Sequence, residues 1–186
     1  MVGMIERAEG KYFDDAVLFR PEGDLNVYRK THLFGPERAV FTPGDQPVVV
    51  ETALGRLGLS VCYDLMFPEF IRSLVLNRAQ VVLNATDWIS DVWQSSLGWG
   101  GDTVSALARI RALEKGVHAA IADRAGVEAG WRNLGRSDCR VSDRTGLGDA
   151  RRGRGRRHGD DRHCECRFRP LVRARNVCPG PSTRAL

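Results

Sequence analysis

Residues 57–62, Leu-Gly-Leu-Ser-Val-Cys, constrain the fold most strongly. The run is apolar at most positions and does not alternate, which fits a strand buried on both faces of a covered sheet. The chain turns after Cys62, and Pro68 stands where the first turn of a helix accepts proline, so a helix is predicted over 68–77. Val81-Val82-Leu83-Asn84 predicts a second buried strand. A helix over 102–115 comes next, with Asp102 as its N-cap and Gly116 at its C-cap, and residues 117–122 predict a third strand. Strand, helix, strand, helix, strand is the order of an α/β layered domain. Upstream, residues 16–20 and 25–30 predict a hairpin around Pro21-Glu22-Gly23-Asp24. A loop over 31–46, punctuated by Gly35, Pro36, Pro43 and Gly44, leads to a short strand at Val48-Val49-Val50.

The 186 residues suggest one domain, and a hydrophobic fraction of 42% is enough for a core. No apolar run approaches the ~18 residues needed to span a bilayer. The start lacks the basic and apolar regions of a signal peptide, so a cytoplasmic protein is expected. The cysteines are odd in number and uneven: Cys62 stands alone, and the other four lie after residue 138. That is not the spacing of a secreted disulfide framework. The net charge of +5 is concentrated at one end, because residues 151–186 hold eleven arginines and no lysine. We expect a folded part over 1–147 and an Arg/Gly-rich disordered tail over 148–186. The run Arg151-Arg152-Gly153-Arg154-Gly155-Arg156-Arg157 resembles single-strand-binding segments, but Phe168 is its only aromatic neighbour. A solvated charged tail is the favoured reading, and nucleic acid is not an expected partner. His158, His163, Cys164 and Cys166 match no zinc spacing, so no metal site is expected.

Cys62 ends the buried strand and precedes a turn and a helix, a place where nucleophiles project from the top of a sheet. A helix N-terminus and a cation nearby would lower its thiol pKa. The plainer reading is a small buried hydrophobe. Lys30, one of three lysines against 25 arginines, ends a strand and reads either as a solvated charge or as a chosen ammonium. Glu37 stands in the loop after it and alone would be a solvent-facing acid. On the later helix, Glu114 shares a stripe with Thr103, Leu107 and Ile110, which predicts a buried carboxylate. Such a group needs a partner, either in a structural ion pair with Arg111 or Arg124 or from backbone donors.

Four segments together carry a resemblance. Tyr28-Arg29-Lys30-Thr31-His32-Leu33-Phe34, with Glu37, Phe41 and Gly44, resembles the lysine motif of the nitrilase superfamily. Gly58-Leu59-Ser60-Val61-Cys62-Tyr63-Asp64-Leu65-Met66-Phe67-Pro68-Glu69 resembles its cysteine motif. Arg109 to Gly116 resembles the helix after the nucleophile, and Ala122-Asp123-Arg124-Ala125-Gly126 its Asn-Arg-x-Gly strand end, with Asp123 for the usual Asn. The resemblance covers about residues 1–147 and implies an incomplete four-layer α-β-β-α sandwich of the carbon–nitrogen hydrolase type. It joins the family's pattern partway in, so the first glutamate of the Glu–Lys–Cys triad has no counterpart; Glu6 and Glu9 fall too late to match. Leu134-Gly135-Arg136-Ser137 still resembles a family element. A reading-frame shift near Ser137 is expected to account for the Arg/Gly/Cys-rich segment that replaces the family's last strands. An uninterrupted frame on sequencing the gene would remove that expectation.

The resemblance implies hydrolysis of a non-peptide C–N bond in a small-molecule amide, carbamoyl compound or nitrile. Cys62 would be the nucleophile, passing through a thioester, and Lys30 would stabilise the developing negative charge. Glu37 would orient Lys30 or the substrate, and the amide of Tyr63 would add an oxyanion donor. Asp87 and Trp88 would line the pocket, with Trp88 limiting substrate size; core or dimer-interface packing is the alternative for Trp88 and Trp93. Glu69, Glu114 and Arg124 are assigned structural roles. An amidase or N-carbamoyl amidase is favoured over a true nitrilase, with no metal or organic cofactor and no membrane partner. Relatives form homo-oligomers, through helices such as 68–77 and 102–115. The alternative is a non-catalytic remnant that only associates with full-length relatives.

Overall fold

The computed structural model describes residues 1–90, 96, 98, 101–128 and 130–140. The expected tail over 148–186, and Trp93, lie outside the described residues. Three strands open the chain: β1 (Val2–Ala8), β2 (Lys11–Phe19) and β3 (Leu25–Arg29), an antiparallel sheet in that order. Next come β4 (Val49–Thr52), β5 (Gly55–Val61), helix α1 (Pro68–Leu76) and β6 (Val81–Thr86). The short β7 (Ile89–Ser90) precedes helix α2 (Gly101–Lys115) and β8 (His118–Asp123). Last are β9 (Ala125–Glu128), β10 (Trp131–Leu134) and β11 (Asp138–Arg140).

The predicted strand–helix alternation is the centre of the molecule. β5, β6 and β8 run parallel, flanked antiparallel by β4 and β11, in the order β11-β8-β6-β5-β4. The apolar run is buried on both faces. Leu57 points with β2 residues Leu18 and Phe19, towards the three-stranded sheet. On the opposite face Gly58 meets α1 and the turn after it: an added Cβ would lie 3.1–3.3 Å from Ala79 and Leu74, so a larger residue would push helix and sheet apart by a few tenths of an ångström. One hydrophobic cluster joins β2, β3, β5, β6, α1 and α2. A third small sheet, β7-β10-β9, stands beside the ends of the parallel strands.

β1 is a strand that the sequence reading leaves unassigned. Most of its residues are exposed, so it carries no apolar alternation to detect. The buried stripe of α2 also differs from the expected one. It runs through Val104, Ala108, Arg111 and Ala112, while Ile110 and Leu113 face outward. Glu114 is therefore exposed rather than buried; it pairs with Arg111 at 3.3 Å and Lys115 at 2.8 Å. Small residues lie under the sheet contact, and counting apolar bulk alone rotates the wheel away from them.

The outer face of the first sheet holds a carboxyl pair with a consequence for stability. Asp15 lies opposite Met4 and Arg29, and Glu6 forks Arg29 at 2.7 and 2.9 Å. Burial, then the hydrogen bond and charge of Glu6, push the Asp15 carboxyl up to about 7. A carboxyl whose folded pKa is raised stabilises the fold while protonated. That contribution is complete below the unfolded value of about 4 and is lost as pH climbs to about 7. Thermal melts of the native chain should therefore fall across this window, and Asp15→Asn should flatten the fall. An unchanged slope in Asp15→Asn would place the dependence elsewhere.

Candidate active site

The site forms where the three parallel strands end together. Val61, Ala85 and Ala122 are in register, as are Thr86 and Asp123. The residues beyond them therefore project into one cavity at the carboxyl edge of the sheet, the usual place for a site in such a fold. The cavity, of about 730 Å³, is lined by Asp14, Lys30, Glu37, Cys62, Thr86, Asp87, Asp123 and Arg124, with Met1 to Ile5 along one wall.

Cys62 is the first residue of a 3-10 turn, Cys62–Met66, and adopts φ +42°, a strained left-handed conformation for a non-glycine residue. The bend lifts the thiol off the strand axis. Lys30 arrives from the facing sheet, just past β3. It is 1% exposed, and its Nζ donates to Glu37 Oε1 and Oε2 at 2.8 and 2.7 Å and to Asp14 Oδ2 at 3.0 Å. Glu37 sits in the 3-10 turn Gly35–Ala39 and is held by the Phe34 amide at 2.8 Å. Sequence reasoning assigns Lys30, Glu37 and Cys62 to one site, and the structure brings them to one cavity.

Burial would lower the Lys30 pKa, but the Cys62 sulfur when ionised and the Asp14 and Glu37 carboxylates outweigh it and raise the value. Lys30 is therefore an ammonium at neutral pH. For Cys62 the balance falls the other way. Burial pushes the thiol up, and Lys30, the Thr86 hydroxyl and the Asp87 amide recover only part of it. The expectation of a lowered thiol pKa is thus corrected. The sulfur is protonated at rest, and to act as a nucleophile it would have to lose that proton. Asp14, absent from the sequence-based set, has its own carboxyl raised by burial, although Lys30 pulls it down.

The remaining predicted residues divide. Asp87 lines the cavity beside the thiol, and its carboxylate lies 3.5 Å from Arg124. Arg124 also pairs with Glu128 and is half exposed at the rim. Trp88 is not in the cavity wall: it is 4% exposed and belongs to the core. Its amide donates to Asp123 Oδ1 at 3.0 Å and its carbonyl accepts from Leu134 at 2.8 Å. Those bonds fix the backbone between β8 and β10, so a limit on substrate size is not assigned to Trp88. The Tyr63 ring packs edge-on against Phe34 and Phe67 rather than lining the cavity. Glu69 is exposed in the first turn of α1, a favourable position for a negative charge.

Two buried polar residues that the sequence reading does not place in the site support its walls. Arg111 on α2 donates to the carbonyls of Leu65 and Met66, both at 3.1 Å, and so anchors the turn after Cys62. Asp123 accepts the amides of Trp88 and Arg136, and its amide donates to the Ser137 hydroxyl at 3.0 Å. Among the described residues no cluster of His, Cys, Asp and Glu is arranged to hold a metal ion. No described helix is long and apolar enough to cross a membrane.

Comparison with known proteins agrees with this arrangement. A nitrilase from Pyrococcus abyssi is 31% identical over 138 residues, covering 74% of this chain and 48% of its own length. An (R)-stereoselective amidase from Pseudomonas sp. is 41% identical over 83 residues, covering 45% of this chain and 30% of its own length. The chain thus spans half or less of the length of these relatives. A mutant amidase from Nesterenkonia sp. AN1, with the acetamide moiety of fluoroacetamide covalently added at its active site cysteine, superposes with TM-score 0.63 at 31% identity. That match covers 74% of this chain and 51% of the amidase. Saccharomyces cerevisiae Nit3, of the nitrilase superfamily, shares the fold at 23% identity and TM-score 0.63, covering 74% of this chain and 49% of its own. The helix layer and two facing sheets are those of the α-β-β-α sandwich. The model of the carbon-nitrogen hydrolase family matches residues 1–148, and the chain belongs to that family.

Proposed function

We propose that this site hydrolyses amides or N-carbamoyl compounds through an acyl-thioester on Cys62. The observation that carries the reading is the Lys30 ammonium, fully buried between two carboxylates in the cavity that Cys62 opens into. A buried cation is costly unless it is used or paired. Here it is paired with two carboxylates and lines the same cavity as the sulfur.

In this reading each group has a task. A carboxylate on Lys30 takes the Cys62 proton as sulfur attacks the carbonyl carbon. Asp14 and Glu37 both stand within hydrogen-bond reach of the ammonium and line the same cavity. Negative charge gathers on the substrate oxygen, where the buried Lys30 ammonium stabilises it. The amine leaves with a proton, and water then opens the thioester. The likeness to the amidases from Pseudomonas sp. and Nesterenkonia sp. AN1 favours amides over nitriles as substrates.

Ammonia release from short aliphatic amides and N-carbamoyl amines tests the reading. The native chain should release it, and Cys62→Ala should not. Release by Cys62→Ala, or none by the native chain from any amide, carbamoyl or nitrile substrate, would remove the proposal.

A further inference from the structure

The geometry points to Asp64 as a positioning residue, one carboxylate that fastens the lysine strand to the cysteine turn and so sets the Lys30–Cys62 pairing on which the proposed hydrolysis rests. Asp64 is 0% exposed and is not among the residues that line the cavity. Its Oδ2 accepts the Tyr28 hydroxyl at 2.8 Å and the Val61 amide at 2.9 Å. Its Oδ1 accepts the His32 amide at 3.0 Å and faces His32 Nδ1 at 2.9 Å. A carboxylate only accepts, so that ring nitrogen is the protonated one.

The partners are placed with a clear logic. Tyr28 is two residues before Lys30 and His32 two residues after it, and Val61 immediately precedes Cys62. The carboxylate thus grips the lysine segment on both sides and the amide of the residue just before the nucleophile. These residues come from opposing sheets, 32 and 36 positions apart in the two longest links. Burial, and then the charge of Asp64, push the Tyr28 phenol up, so it remains a donor. The His32 ring is stacked on Phe67 with centroids 3.9 Å apart, which closes the clamp from the side of α1. Four donors on one buried carboxylate resist any slip, because each lost bond leaves a buried polar group unsatisfied. The strained φ of Cys62 needs such a restraint.

The test reads the pairing rather than turnover. Iodoacetamide modification of Cys62 is followed against pH by peptide mapping, which separates it from the other cysteines. Tyr28→Phe keeps the ring and the charge but removes one donor to Asp64, and with it the acceptor of the Thr31 amide. It should raise the Cys62 midpoint by about 0.5–1 pH unit, because the ammonium no longer sits as close. Asp64→Asn, where it folds, should raise it further, since an amide meets two of the four donors with its own N–H groups. In a Lys30→Gln background the Tyr28→Phe shift should vanish. A shift of equal size in that background, or a fall towards the ordinary thiol value alongside a lower melting temperature, would mean that Asp64 only supports the fold. The readout is alkylation of the sulfur rather than hydrolysis of an amide bond, so absence of hydrolysis would sink the proposed function and leave this coupling intact.

Discussion

Lys30→Met is expected to lower turnover about a thousandfold, the upper range for removing one group that stabilises a developing oxyanion. The substitution also strips the shared partner from Asp14 and Glu37, whose carboxylates reach Lys30 Nζ at 3.0 and 2.7 Å. Breaking a buried ion pair from one side costs about 3–5 kcal/mol of stability. Urea melts would show that loss, and turnover should be read well below the unfolding midpoint. Loss of stability with turnover intact would reduce Lys30 to a structural ion. In the same variant the Cys62 thiol should titrate higher still, because Lys30 is the largest influence pulling it down.

Gly44→Ala is expected to damage the site from a distance. Gly44 lies in the loop that returns from Glu37, and its amide donates to the Lys30 carbonyl at 2.9 Å. A Cβ there would fall 2.2 Å from the Arg29 carbonyl oxygen and 2.8 Å from the Arg29 Cβ. Backbone, not a flexible side-chain tip, would have to move. The expected cost is about 3 kcal/mol, the upper end for overpacking. It should appear as a lower urea midpoint at unchanged slope. Turnover should fall with it, because the strain is relieved by pushing the loop off Lys30. A variant as stable as the native chain would show that the loop does not seat there.

The sequence shows the central layer clearly, because buried parallel strands and their helices leave long, unbroken signals. Residues 57–62 and 81–84 read as strands and 68–77 as a helix, each within two residues of β5, β6 and α1. Cys62, Lys30 and Glu37 are named by motif, and the structure places them in one cavity. Asp14 escapes the sequence reading although it stands just before the hairpin. Phe19 pairs with Leu25 and Ala16 with Tyr28, and continuing that register sets Asp14 opposite Lys30 on the inner face. An acid on the core-facing side of a strand, with Ala16 and Leu18, is the signal that could reveal it. Asp64 is less legible: its four donors, on three residues, lie in two segments that only the facing of two sheets brings together. Trp88 and Glu114 depart from expectation for a shared reason. Residue type sets the expectation, whereas backbone bonds to Asp123 and Leu134 and the small residues of α2 decide the orientation.

Acid-quenched peptide mapping of the native chain, mixed with a short aliphatic amide, tests most directly whether sulfur opens the bond. The Cys62 peptide should carry the mass of the acyl group early in turnover and lose it as the acid accumulates, with no such adduct in Lys30→Met. Ammonia appearing while the Cys62 peptide stays unmodified, or an acyl group found on another residue, would contradict the thioester.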